Sequence, residues 1–315
     1  MRAQASERFG SVGELKIMDL PVPVPVAGEL LVEVHAAAVN PADLKVLEHR
    51  DGGSLLHASV FPLILGFDFS GVVVAAPGGT HAVGDAVFGF LPYARRTRGG
   101  TYAELVAVGA TTVGPKPKAI SHAEAAAAAT SAATALQGLR KGRIAAGKTV
   151  LINGASGGVG SYAVQIAKCL GATVAATCSA SKQAFVAALG ADRVIDYRAT
   201  PLAQLQERFD LVFDVASTSS YGGCAHLLAA GGAYITLLPS LGLVTGMARA
   251  LFSSRRCAML VVAPRAADFA ELAGWFDAGK LKPQLDATYP LAELPAALER
   301  QRTGEVRGKL AIAVR

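Results

Sequence analysis

The chain has 315 residues, 52% of them hydrophobic and 17% charged, a length that allows two domains and a composition that excludes a disordered chain. The formal net charge is +6 with only 6% aromatic residues, and Lys and Arg are dispersed apart from Arg95, Arg96 and Arg98 and the pair Arg255 and Arg256, so no nucleic-acid-binding face is expected. Mean hydropathy is +0.39, yet no stretch offers about 20 strongly apolar residues, so no membrane span is expected.

The opening MRAQASERFGSVGELK lacks the apolar centre of a secretory signal, which gives a cytoplasmic expectation. Residues 1 to about 120 read as short strands, because runs such as LLVEVHAAAV, GVVVAAP and AELVAV are cut by Pro and Gly clusters. A mainly antiparallel, barrel-like β domain is predicted there. Ser121 followed by Glu124 has the spacing of a capping box, and the Ala-rich run after it predicts a helix and a domain boundary.

From Lys148 onward strands and helices alternate, the pattern of βαβ units on a parallel sheet. KTVLIN, TVAATC, RVIDY, LVFDVA, AYITLL and AMLVV are the predicted strands. SYAVQIAKCL, KQAFVAAL, GGCAHLLAA and DFAELAGWFDAG are the predicted helices. Six strands with such crossovers make a doubly wound dinucleotide fold. The C-terminal tail breaks the alternation and is expected to return to the first domain, giving a β domain of residues 1–121 and 278–315 and a dinucleotide domain of residues 122–277. Cys169, Cys178, Cys224 and Cys257 lack CxxC spacing, which argues against a zinc cluster or a disulfide framework, and they read as small buried hydrophobes.

Between the first parallel strand and its helix stands Asn153-Gly154-Ala155-Ser156-Gly157-Gly158-Val159-Gly160. A Gly-rich turn there lets backbone N–H groups and the helix N-terminus meet a pyrophosphate. Gly157 is expected to permit the close approach and Gly160 the helix packing, with Ala155 where the first Gly of the fingerprint usually sits. Ala155, Ser156, Gly157, Gly158 and Val159 are the expected phosphate contacts. An NAD site usually places an acid at the end of the second strand. Here Cys178, Ser179, Ala180, Ser181 and Lys182 follow instead, a hydroxyl and cation set suited to a 2′-phosphate, so Ser179 and Lys182 predict NADPH. Capping of the next helix is their bland alternative. Tyr197 could close over the same phosphate or be an ordinary half-buried ring.

GKTVLINGASGGVG, together with NPAD, GFDFSGVV, VGDAVFGF and GGTYAELV upstream, resembles the medium-chain dehydrogenase/reductase superfamily over nearly the whole chain. The run Asn40-Pro41-Ala42-Asp43-Leu44-Lys45 is similar to its zinc-independent quinone oxidoreductase and enone reductase branch. The resemblance implies a GroES-like β domain beside a Rossmann domain. Zinc alcohol dehydrogenases carry a Cys where Asn40 stands and Gly-His-Glu where Gly66-Phe67-Asp68 stands. Neither Asn nor Phe is a usual zinc ligand, and no Cys follows Gly84-Asp85 until Cys169, so no metal is expected.

The resemblance further implies hydride transfer from NADPH to a quinone or an activated enone or enal. The cofactor supplies the chemistry, and the protein supplies donors for the developing oxyanion. Asn40 as an amide donor, Lys45 as a cation and Tyr93 as an acid or stacking platform are the catalytic candidates, and Thr134, Ala216 and Leu237 are further cofactor contacts. A turn at Asn40, a solvated Lys45 and helix packing for Thr134 are the bland alternatives. An enoyl-thioester reductase of the same superfamily and a non-catalytic NADPH-binding protein stay as rival functions. A homodimer is among the assemblies the resemblance allows.

Overall fold

The computed structural model describes residues 1–79 and 81–315. The chain divides into two units, one of Met1–Ala133 with Ala263–Arg315 and one of Thr134–Val262.

The first unit starts with β1 (Arg2–Ser6), β2 (Lys16–Asp19) and β3 (Glu29–Ala38), followed by helices α1 (Pro41–Leu47) and α2 (Gly53–Leu56). It continues with β4 (Leu63–Ile64), β5 (Asp68–Ala75), β6 (Ala86–Phe90), β7 (Leu105–Gly109) and β8 (Val113–Pro115). Along β3, Leu30, Val32 and Val34 are buried at every second position, the period that puts one face of a strand on a core. The 20-residue helix α3 (His122–Lys141) follows. Ser121 hydrogen-bonds the Glu124 carboxylate, and the Glu124 amide donates back to Ser121, so the predicted capping box forms.

The second unit contains β9 (Thr149–Asn153), α4 (Gly158–Cys169), β10 (Thr173–Cys178), α5 (Gln183–Ala188) and β11 (Arg193–Asp196). Next come β12 (Phe209–Asp214), α6 (Tyr221–Cys224), β13 (Leu228–Thr236), α7 (Leu241–Ala250) and β14 (Arg256–Met259). Its six strands are parallel in the order β11-β10-β9-β12-β13-β14. The order reverses between β9 and β12, the place where open α/β sheets leave a ligand crevice at their C-terminal ends. One local expectation changes: the helix expected over GGCAHLLAA ends at Cys224, because Leu228 already pairs with Phe209 in the sheet. Helix α7 is capped by the Ser240 hydroxyl accepting from the Leu243 amide.

The chain then returns to the first unit with α8 (Ala266–Asp277), β15 (Leu285–Pro290), α9 (Leu294–Arg302) and β16 (Lys309–Ala313). The larger sheet of this unit runs β15-β16-β3-β5-β6-β8 with β7 also on β3, and a small sheet joins β2-β1-β4. The division lies inside α3 and before α8, not at residues 121 and 278. Ala126 and Ala127 of α3 pack against Ala36 and Ala38 of β3. Phe269 of α8 meets Phe88 and Phe90 edge-on at 5.1 and 5.7 Å, and a side chain on Gly114 would collide with it. Helix α8 therefore belongs to the β-rich unit although it continues the βα rhythm in sequence.

Among the described residues no helix is long and apolar enough to cross a membrane. Cys178 and Cys224 are buried as expected, Cys257 is half-buried, and Cys169 is exposed at the end of α4. Phe269 is fully buried between aromatic rings, so Phe269→Ala is expected to lower unfolding stability by about 3–5 kcal/mol, read as a shift of the urea midpoint.

Candidate functional site

In the second unit the chemistry collects at the C-terminal edge of the parallel sheet. Thr177, Asn153, Asp214 and Thr236 stand in one register row across β10, β9, β12 and β13. They are all buried. Asp214 accepts from Asn153 Nδ2 at 2.8 Å, Tyr234 Oη at 2.7 Å and the Ser219 amide at 2.9 Å. Thr177 Oγ1 donates to Asn153 Oδ1 at 2.6 Å and accepts from the Gly154 amide at 3.1 Å. A buried carboxylate is tolerated when its lone pairs are filled in this way. Burial and the neighbouring Asp214 push the Tyr234 phenol above its usual range, so it stays a donor.

That row anchors the Gly-rich turn. Gly154 has φ +92°, a left-handed conformation that suits glycine, and a Cβ there would come within 2.8 Å of Ala216. The buried Ala155 donates its amide to the Thr177 carbonyl at 2.9 Å. A Cβ on Gly160 would collide with the Gly154 carbonyl, which is why α4 can start so close to β9. Gly157 differs, because a Cβ there meets nothing nearer than 3.9 Å. It is the N-cap of α4, with no side-chain cap and no acid in the first turn. Ser156, Gly157, Gly158 and Val159 are half-buried. An uncapped helix start with open space over its glycine fits an anionic group.

The other predicted cofactor residues occupy the ends of the same strands, except Thr134. Ser179 follows β10, with its hydroxyl 3.4 Å from that of Ser181, and Lys182 is half-buried three residues on. Tyr197 follows β11, its amide donating to the Cys178 carbonyl at 3.2 Å. Ala216 and Leu237 follow β12 and β13, the Ala216 amide bonding Asn153 and the Leu237 amide bonding Ser217. Thr134 is buried in α3, four residues before Gly138, whose packing against the Phe213 ring leaves no room for a side chain. Arg198, whose guanidinium lies 5.6 Å from the Tyr197 ring centre, was not among the sequence candidates, although its place beside Tyr197 marks a further cation at this edge.

In the first unit, the predicted catalytic residues meet a buried charge network. Lys309 Nζ donates to the Val39 carbonyl, to Asn40 Oδ1 at 2.6 Å and to Asp68 Oδ2 at 3.4 Å. Asn40 Nδ2 donates to Asp68 Oδ2 at 2.9 Å, so its amide is engaged inside the protein. Thr130 gives both its amide and its hydroxyl to Asp68 Oδ1. The Tyr93 hydroxyl bonds Thr130, and its ring lies 4.3 Å from that of Phe67. Burial first, and the nearby Asp68 and Asp43 second, hold the Tyr93 phenol well above its usual range, so it keeps its proton. Lys45 is half-buried on α1 and takes no part in the network.

Asp43 forms the second centre of this network. It accepts from the Asn40 amide at 2.7 Å, from Tyr102 Oη at 2.9 Å and from the Gly66 amide at 3.2 Å. Burial outweighs these donors and pushes its carboxyl up to about 7. The sequence reads Asp43 and Asp68 as hydrogen-bonding braces of the β domain rather than bases, and they hydrogen-bond here as braces; Lys309, Thr130 and Tyr102 were not found from sequence, since partners as far apart as residues 40 and 309 carry no local signal.

The residues here do not fit a metal ion. Among the described residues, no group of three or more His, Cys, Asp and Glu side chains is placed to hold one. Phe67 offers no donor atom, and Asp68 and Asn40 already bond an ammonium.

A raised Asp43 means that the folded state binds this proton more tightly than the unfolded chain, so its stabilising contribution is present at low pH and lost as pH rises through about 7. Asp43→Asn is expected to reduce the fall in urea midpoint between acidic and mildly alkaline pH. An unchanged slope would show that this carboxyl is ionised throughout. Lys309→Met leaves Asp68 without its cation and is expected to cost about 3–5 kcal/mol, with part recovered in the double variant Lys309→Met, Asp68→Asn, measured by denaturant titration.

Comparison with known proteins bears on both units. A model of the alcohol dehydrogenase GroES-like domain matches residues 26–118 and one of zinc-binding dehydrogenases matches residues 189–312. The chain is 32% identical to the mitochondrial NAD(P)H oxidoreductase RTN4IP1 of Homo sapiens, over 100% of this chain and 89% of the relative. It is 33% identical to 2-methylene-furan-3-one reductase of Solanum lycopersicum, over 99% and 79%. The quinone oxidoreductase structure from Coxiella burnetii superposes with a TM-score of 0.90 at 31% identity, covering 100% of this chain and 99% of that one. With this likeness over its full length and the sheet orders described above, the chain belongs to the medium-chain dehydrogenase/reductase superfamily, in its quinone oxidoreductase-like branch.

Proposed function

We propose that the protein is an NADPH-dependent oxidoreductase that reduces a quinone or an activated enone or enal without a metal ion. The observation that carries the cofactor choice is the end of β10, where Ser179, Ser181 and Lys182 stand in place of the acid that would bind a ribose 2′-hydroxyl. The activities named for the human, tomato and Coxiella relatives support a nicotinamide-linked reductase.

The uncapped amides from Ser156 to Val159 would hold the pyrophosphate, while Ser179, Lys182 and Tyr197 would hold the 2′-phosphate. Ala216 and Leu237 would line the path along the strand ends, and Thr134 is the expected neighbour of the nicotinamide. When bound, the cofactor supplies a hydride for the acceptor carbon. The oxygen that becomes negative then needs a donor and a proton. Tyr93 is assigned that role, holding its proton on Oη because burial and two carboxylates oppose its loss. Asn40 is a positioning residue, since its amide is committed to Asp68 and Lys309. Lys45, on the same helix as Asp43, is the cation of this region left outside the network and is assigned to the developing anion.

Fluorescence titration with NADPH and NADH tests the cofactor. Addition of 1,2-naphthoquinone and a small enone, with reduced-cofactor oxidation followed, tests the reaction. Lys182→Glu is expected to weaken NADPH by about ten- to a hundredfold while leaving NADH little changed. Preference of the wild type for NADH would overturn the phosphate assignment, and binding without turnover of either acceptor would overturn the reductase.

A further inference from the structure

The three arginines that stand out in the sequence, Arg95, Arg96 and Arg98, have no part in the networks described above. They lie in the segment 91–100 between β6 and β7, and all three are exposed. The backbone that carries them is tied down on both sides. The Thr97 amide donates to the Ala94 carbonyl at 2.9 Å, which closes a turn with Arg95 and Arg96 at its two middle positions. Thr97 Oγ1 donates to the Pro92 carbonyl at 2.6 Å, and the Thr97 carbonyl accepts from the Ala58 amide at 2.8 Å. The buried His57 places Nε2 2.8 Å from the Gly99 carbonyl. A Cβ on Gly100 would collide with the Ile64 and Leu65 carbonyls, so the end of the segment is packed against the chain before β5.

Three cations within four positions repel one another unless an anion offsets them. The protein supplies none. No Asp or Glu occurs between Asp85 and Glu104, and both of these are engaged elsewhere, Glu104 by Arg2 and Asp85 by the Ala82 amide. Among the described residues none of the three guanidiniums has an ion-pair partner. The same segment carries Tyr93, half-buried, with its ring on Phe67. Two residues separate Tyr93 from Arg95, so their Cα atoms are at most about 7 Å apart. The candidate proton donor and an unpaired cationic turn thus share one short, anchored stretch of chain.

We propose that this turn is an anion-binding rim that selects acceptors bearing an oxyanion, such as a carboxylate, beside the reducible quinone or enone. The inference rests on the reductase reading with Tyr93 as donor and names the substrate class for it. A guanidinium suits the task, because its planar fork meets an oxyanion through two parallel hydrogen bonds and keeps its charge at any working pH. The fixed backbone turn lowers the ordering cost of presenting the cations. The anion is remote from the carbon that takes the hydride, so its binding serves ground and transition states alike and acts on KM rather than on kcat.

Two acceptor pairs that differ in charge provide the test: 1,2-naphthoquinone with 1,2-naphthoquinone-4-sulfonate, and methyl 4-oxo-2-pentenoate with the 4-oxo-2-pentenoate anion, each followed by NADPH oxidation. The quantity read is the ratio of kcat/KM for the charged acceptor to that for the neutral one, and comparison between variants cancels the intrinsic reactivity of each compound. Arg95→Gln, Arg96→Gln, Arg98→Gln is expected to lower the ratio about tenfold through KM. Arg95→Lys, Arg96→Lys, Arg98→Lys should keep most of it, and the wild-type ratio should fall as salt is raised. An unchanged ratio in the Gln variant, including an equal loss on both members of a pair, would overturn the proposal. So would a raised KM for NADPH alone, which would give these cations to the cofactor. Failure of the wild type to reduce any of the four acceptors would overturn the reductase reading itself.

Discussion

The ammonium of Lys309 is the constraint around which the β-rich unit is arranged. A charged amine deep in a protein is stable only when its three donors find acceptors. Here these are the Val39 carbonyl, Asn40 and Asp68. The three come from β3's end, the turn into α1 and the start of β5, while Lys309 opens β16. Satisfying one cation therefore closes the C-terminal strand onto residues some 269 positions earlier. The antiparallel pairing of Ala311 with Ala38 follows on the same register. The dangling interactions of Thr130 and Tyr93 are organised by the same carboxylate, so the candidate acid inherits its position from the buried pair.

The second unit solves a related problem with neutral donors. Asp214 is buried without a cation, and an amide, a phenol and a backbone N–H fill its lone pairs. Asn153, Thr177 and Tyr234 brace the turn at the uncapped start of α4, and under the proposed function no fixed ammonium in the strand row would compete for a pyrophosphate there. The glycines then divide the work by geometry: Gly154 takes the left-handed turn and Gly160 lets helix and strand touch, whereas Gly157 leaves space that the protein does not fill.

These differences explain what could be read in the sequence. The βα alternation from β9 to β14 and the turn at 153–160 are local signals, and they locate the parallel sheet and the glycine-rich start of α4 without any knowledge of contacts. The row Thr177, Asn153, Asp214, Thr236 was also visible in principle, since each is a polar residue closing an apolar strand. By contrast, nothing local to Lys309 in the sequence marks it as buried, and only the pairing of β16 with β3 brings it to Asn40 and Asp68. Helix α8 misled for a related reason. Its local pattern matches a crossover helix, and the aromatic contacts of Phe269 that decide its place come from residues about 180 positions away.

The same network bears on how an acceptor could be activated. A metal ion polarises an oxygen because it keeps an open coordination position. The Lys309 ammonium keeps none, since each of its protons already points at a protein oxygen. It faces Asp68 Oδ2 instead, while the other oxygen of that carboxylate accepts from Thr130, the residue that the Tyr93 hydroxyl bonds. Under the proposed function, polarisation by this unit would come from the oriented O–H of Tyr93, a donor that strengthens as charge appears on the acceptor oxygen.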